Sequence, residues 1–95
     1  MHIISRKALE EFAQRHPDSK TALDSWFHLV RTNQFESFNA LRQVFPSADK
    51  VGDLIVFDIG GNKYRLITAI HFNRQKVYIR HILTHPEYDK GRWKK

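Results

Sequence analysis

Apolar residues recur at helical spacing through the first half of the chain and alternate through the second. Ser5 stands at a capping position before Ala8, Leu9, Phe12 and Ala13, which share one helical face, and Pro17 follows that helix. Asp18 restarts the chain as a second helix. Ala22, Leu23, Trp26, Phe27 and Val30 form its apolar stripe, with Asp24, His28 and Arg31 outside. Aromatics at that period are packing residues for a sheet, not a binding box. A shorter helix is predicted from Ser37 to Val44, carrying Phe38 and Leu41 and closed by Pro46. Residues 46–53 then read as the loop into the strand half.

Three strands follow, Leu54 to Ile59, Lys63 to Phe72 and Gln75 to Leu83, divided by Gly60-Gly61 and Asn73-Arg74. With two-residue turns at both places, Ile59 pairs with Asn62 and Val56 with Arg65. Phe72 likewise pairs with Gln75, Ile67 with Arg80 and Arg65 with Ile82. Period two then puts Ile55, Phe57, Ile59, Tyr64, Leu66, Ile70, Val77, Ile79 and Leu83 toward the helices. The opposite face receives Val56, Asp58, Arg65, Ile67, Ala69, His71, Tyr78, Arg80 and Ile82. A three-residue second turn would drive the Arg80 guanidinium into the apolar face, so the two-residue turn is favoured. The fold class is α+β, with N-terminal helices packed on a small twisted antiparallel sheet, in one domain spanning residues 1–95.

Composition narrows the function. At 95 residues and 41% hydrophobic content the chain fills one core and leaves too little for a buried cofactor site. It has no cysteine, hence no disulfide, thiolate nucleophile or cysteine-based zinc site, which fits a reducing cytoplasm. Its apolar runs are too short to span a membrane, and its first residues are too polar for a signal peptide. The net charge of +6 is uneven. Residues 1–48 hold six Lys/Arg against five Asp/Glu, whereas residues 62–95 hold nine against two. Positive charge gathered in one half points to a polyanion, because each neutralised phosphate releases condensed counterions. A solvated basic surface that binds nothing is the plain alternative.

Within the basic half, Arg65 and Arg80 are expected on one open sheet face. Two neighbouring arginines repel unless an anion lies between them or Asp58 neutralises one. The planar guanidinium offers two parallel hydrogen bonds to a phosphate and stays charged as the phosphate gains charge in a transition state. His85 stands at the exit of the third strand. Pro86 starts a helical turn that brings Tyr88 back beside it. A histidine moves protons near neutrality, and a tyrosine donates a proton, stacks on a base or polarises a phosphate. His85 equally reads as a strand-end histidine bonded to Asp89. His81 and His85 do not make a compact zinc site at strand spacing. Lys90, Arg92, Trp93, Lys94 and Lys95 form a basic tail that either grips phosphates while Trp93 stacks on a base, or frays as a soluble end.

The segments Gly60-Gly61-Asn62-Lys63-Tyr64-Arg65-Leu66-Ile67, Val77-Tyr78-Ile79-Arg80 and Thr84-His85-Pro86-Glu87-Tyr88-Asp89-Lys90 follow two helices in order. Together they resemble the HigB toxins, relatives of the RelE toxins of bacterial type II toxin–antitoxin systems. The likeness runs from a short Met1 to Ile4 strand across nearly the whole chain. It implies a RelE/ParE-like fold and a cytoplasmic endoribonuclease that cuts messenger RNA, typically on the ribosome, and arrests translation. It implies no metal and no cofactor: the 2′-hydroxyl attacks the adjacent phosphate, leaving a 2′,3′-cyclic phosphate or its opened product and a free 5′-hydroxyl. Arg65 matches the arginine on the scissile phosphate and Arg80 the basic residue next to it. His85 and Tyr88 match the exit motif, and Asn62 and Lys63 would orient the RNA backbone. The lysine pair that several RelE relatives use is missing, which shifts weight onto His85. The resemblance also implies a helix-turn-helix antitoxin of the HigA type, through which the pair binds operator DNA. Residues 6 to 42 would supply a helical surface beside the sheet.

Two other readings stay open. A ParE-type relative would act by binding gyrase and would not need Arg65, Arg80, His85 and Tyr88. A plain nucleic-acid-binding module would need only the charge.

Overall fold

Two amphipathic helices form where the apolar spacing requires them. In a computed structural model that describes residues 1–94, α1 covers Arg6–Arg15 and α2 covers Lys20–Thr32. Leu9 and Phe12 are the buried stripe of α1, and Leu23, Trp26 and Val30 that of α2. Ser5 does not cap α1 with its side chain. It sits at φ 77, and only its carbonyl is engaged, accepting from the Ala8 N–H at 3.0 Å. Asp18 does not restart a helix directly either. Pro17–Ser19 form a single 3-10 turn, locked by the Ser19 hydroxyl donating to the His16 carbonyl at 2.7 Å. The third helix, α3, runs Phe38–Val44, so Ser37, expected as its first residue, is instead its cap: Ser37 Oγ accepts from the Ala40 N–H.

The strand half is a five-stranded mixed sheet in the order β1-β5-β4-β3-β2. Its strands are β1 (His2–Ile4), β2 (Asp49–Val51), β3 (Leu54–Ile59), β4 (Tyr64–His71) and β5 (Lys76–Thr84). The antiparallel meander β3-β4-β5 stands as expected, with a short strand added at each edge. One edge is β1, which pairs with β5 in parallel. The other is β2, formed within the segment read as loop.

Register differs from expectation in two places. Ile59 pairs with Tyr64 and Asp58 with Arg65, so Gly60 to Lys63 make a four-residue turn, with Gly60 and Gly61 at φ 63 and 70. That conformation suits residues without a Cβ. The shift is two residues, so every side chain keeps its face. The second turn is also longer than expected, with His71 paired to Lys76, yet Ala69 and Tyr78 are opposed as two-residue geometry requires. Beyond them a bulge intervenes. Thr68 pairs with Ile79 but Ile67 with His81, leaving Arg80 as the extra residue. Downstream parity reverses, so Ile82 packs with the helix-side core and Leu83 moves to the opposite face.

That opposite face is not open. Val56, Ile67 and Trp93 make a second small core, flanked by Val51, Leu54, Leu83 and Tyr88. The sheet is thus covered by helices on one side and by the C-terminal segment on the other. This segment consists of α4 (His85–Asp89) and a 3-10 turn at Arg92–Lys94. Lys95, expected in the basic tail, lies outside the described residues. Among the described residues no helix is long and apolar enough to cross a membrane.

Candidate active site

The β3–β4 turn and α4 meet at one end of the sheet, and their side chains build the site. Arg65, second residue of β4, lies opposite Asp58 and is largely enclosed, with 11% of its side chain exposed. Its Nε is 3.2 Å from Asp58 Oδ1, and its Nη1 donates to the Tyr64 carbonyl at 3.3 Å. The guanidinium carbon stands 5.3 Å from the Tyr88 ring centroid. Asp58 therefore neutralises Arg65, one of the two alternatives the sequence left open. The guanidinium has five N–H groups in a planar fork, and these contacts engage Nε and Nη1.

His85 begins α4. Its Nδ1 lies 3.0 Å from the Asn62 carbonyl oxygen and its Nε2 3.0 Å from Asp89 Oδ2. Its backbone N–H donates to the Lys63 carbonyl at 3.0 Å. Both ring nitrogens thus face acceptors, and only the doubly protonated ring donates to both at once. The bond to Asp89 is the other reading the sequence held open for this histidine. Its position is set by a capping box: Thr84 Oγ1 accepts from the Glu87 N–H, and Glu87 Oε1 accepts from the Thr84 N–H and hydroxyl, each at 3.0 Å. Those bonds from Thr84 hold the Glu87 carboxyl below its ordinary range.

One turn further, Tyr88 has other partners. It stacks on Trp93 with ring centroids 5.0 Å apart and 15° between planes, and the Trp93 indole N–H donates to the Tyr88 carbonyl at 2.9 Å. Burial is the main cause that pushes the Tyr88 phenol above its ordinary range. Asp49 adds to the rise and Arg65 opposes it. At neutral pH the group is a proton donor. Arg65, Tyr88 and Asp58 line an open cleft of about 380 Å³ together with Arg42 and Asp49.

Arg80 is not beside Arg65. The bulge leaves Arg65 opposite Leu83 and sets Arg80 against the Ile67/Thr68 step. There Arg80 borders a separate depression with Gly52, Asp53, Trp93 and Lys94. Trp93 is not a platform for a base, because it is 5% exposed and packs on Val56 and Ile67. Residues 90–94 are accordingly folded rather than frayed. Lys90 and Arg92 line a neighbouring depression with His81 and Glu87, on the same side of the sheet as Trp93. Asn62 contributes its carbonyl to His85, while the Lys63 ammonium lies 3.5 Å from Asp18 Oδ2.

Three side chains at or near the site escaped the sequence reading. Arg42 and Asp49 reach the cleft from α3 and β2, and Asp18 reaches the β3–β4 turn from the α1–α2 connection. Only Arg42 had a local signal, a basic residue in the last turn of a helix ahead of Pro46. Among the described residues no three His, Asp or Glu side chains gather as a metal-binding group.

The comparisons with known proteins agree with one another. The family described as "HigB_toxin, RelE-like toxic component of a toxin-antitoxin system" matches residues 19–91. The chain is 39% identical over 92 residues to the mRNA interferase toxin HigB of Escherichia coli strain K12, covering 94% of this chain and 88% of that one. The mRNA interferase HigB of Shigella flexneri gives the same figures. That of Escherichia coli O6:H1 strain CFT073 is 36% identical over 93 residues, covering 95% and 90%.

Proposed function

The chain belongs to the HigB family of RelE-like toxins of toxin–antitoxin systems, and from that premise we propose that it is an endoribonuclease that cuts messenger RNA. The observation that carries this reading is the enclosure of Arg65 between Asp58 and the Tyr88 ring, at the mouth of a cleft, in a relative of mRNA interferases. The 2′-hydroxyl attacks the adjacent phosphorus, forming the P–O2′ bond as the P–O5′ bond breaks. The proton lost from O2′ passes to solvent, and the proton gained by O5′ comes from His85. Arg65 holds the phosphate and meets the extra negative charge of the phosphorane. His85, oriented by the Asn62 carbonyl and Asp89, supplies the proton to the leaving 5′-oxygen. Tyr88 gives a hydrogen bond to a non-bridging oxygen. A 2′,3′-cyclic phosphate and a 5′-hydroxyl result, with no metal required.

Cleavage takes place on messages held by the ribosome in the cytoplasm, where Arg80, Lys90, Arg92 and Lys94 meet RNA phosphates. A HigA-type helix-turn-helix antitoxin neutralises the toxin, and the pair binds operator DNA. The test is expression from a tight promoter with 5′ ends mapped across the transcriptome, repeated with Arg65→Ala and His85→Ala. New ends and growth arrest are expected with the parent chain, and neither with the variants. Arrest without new ends would replace nuclease action by protein binding of the gyrase-poison kind. Cleavage should also persist in excess chelator once ribosome integrity is controlled, and loss restored by zinc would overturn the metal-free step.

A further inference from the structure

We infer that Asp18, on the helical half of the molecule, is a positioning residue for the cleavage site, acting through Tyr64 and Lys63 on both His85 and Arg65. The inference rests on the roles given to those two residues above. Asp18 Oδ1 accepts a 2.6 Å hydrogen bond from the Tyr64 hydroxyl, and its Oδ2 lies 3.5 Å from the Lys63 ammonium. The three consecutive carbonyls of Asn62, Lys63 and Tyr64 are all committed to the site. Asn62 receives the His85 ring, Lys63 the His85 backbone N–H and Tyr64 the Arg65 guanidinium.

These carbonyls directly follow Gly60 and Gly61, the two residues least able to hold a conformation by themselves. Strand pairing fixes the far side of the turn, since Tyr64 pairs with Ile59 and Thr84. On the near side the Lys63 N–H donates to the Gly60 carbonyl at 3.4 Å and the Lys63 carbonyl accepts the His85 N–H, and Asp18 adds a side-chain restraint there through the Lys63 ammonium. Asp18 is itself a fixed point: Pro17 opens its turn, and the adjacent Ser19 is fully buried and bonded to the His16 carbonyl. Tyr64 is held from the side as well, with Phe12 edge-on at 5.3 Å and His16 at 5.3 Å, the latter stacked on Phe12.

Half of the Asp18 side chain is exposed, so its bonds contribute little to global stability. Their consequence is local geometry. A displacement of about 1 Å at a reacting group costs on the order of a hundredfold in rate, and a loosened turn a part of that.

The test compares Asp18→Ala, Tyr64→Phe and the double variant with the parent. Tyr64→Phe keeps the ring packed on Phe12 and His16. Asp24→Ala removes a comparable surface ion pair, Lys20–Asp24 at 2.8 Å, and is the control. Single-turnover cleavage of ribosome-bound message is expected to fall about tenfold in each single variant, with KM within about twofold and the double variant no worse than either. Asp24→Ala should cleave normally. Nitrogen-15 spectra of the His85 ring are expected to shift in Asp18→Ala and Tyr64→Phe but not in Asp24→Ala, with melting temperatures little changed. Unmoved His85 signals, or moved signals with parental cleavage, overturn the inference. A parent chain that cuts no message overturns the nuclease reading instead, and shifted signals would then still uphold the anchoring of His85 by Asp18.

Discussion

Arg65 shows how much one side chain must satisfy here. It meets an anion at Nε, a carbonyl at Nη1 and an aromatic face. Lysine has a point charge and no planar fork, so it cannot make these contacts together. Arg65→Lys is expected to lower single-turnover cleavage by about a hundredfold while leaving circular dichroism unchanged. Near-parental activity would remove Arg65 from the phosphate. Its place beside Asp58 on the face opposite the helices was legible from period two, and the phosphate role proposed for it comes from a glycine-led strand motif that resembles a known family. Arg80 was misplaced because a bulge is a one-residue insertion with no compositional mark. Asp18 was missed because its partner Tyr64 is 46 residues away.

Among the elements, α4 has five residues and makes few contacts, so its caps carry unusual weight. Thr84→Ala removes the Oγ1 acceptor of the capping box and is expected to cost about 1 kcal/mol by chemical denaturation. Glu87 adds a pH dependence. Its folded carboxyl titrates below its ordinary range, so its stabilising contribution is complete above the ordinary value and disappears as pH falls through the depressed one. The stability of Glu87→Gln should therefore vary less than that of the parent across the acidic range. A parallel acid profile would show that the capping box contributes nothing. Helix positions were legible from spacing alone, since Leu9, Phe12, Leu23, Trp26 and Val30 all fall inside. Strand β2 was not, because Asp49–Val51 is short, carries two charged residues and becomes a strand only by pairing with β3.

For the molecule as a whole, the second core matters most. Period-two reasoning assigned Val56 and Ile67 to an open face, yet they are 2% and 0% exposed because Trp93 closes over them. Only the tertiary fold brings the tail back, so alternation within the strands could not reveal it. Trp93→Ala opens that core and removes the ring on which Tyr88 is stacked. It is expected to cost about 3–5 kcal/mol in a thermal or denaturant melt and to lower cleavage by more than the unfolded fraction explains. Loss of activity in simple proportion to unfolding would show that Tyr88 does not depend on Trp93. The parallel pairing of β1 with β5 has a consequence in time. A ribosome makes residues 2–4 long before residues 76–78, so the leading strand waits without a partner while most of the chain is synthesised. The sheet closes only late, and a chain that stalls or is cut short before β5 emerges holds neither a finished sheet nor α4. Partial products of translation would thus lack the assembled site.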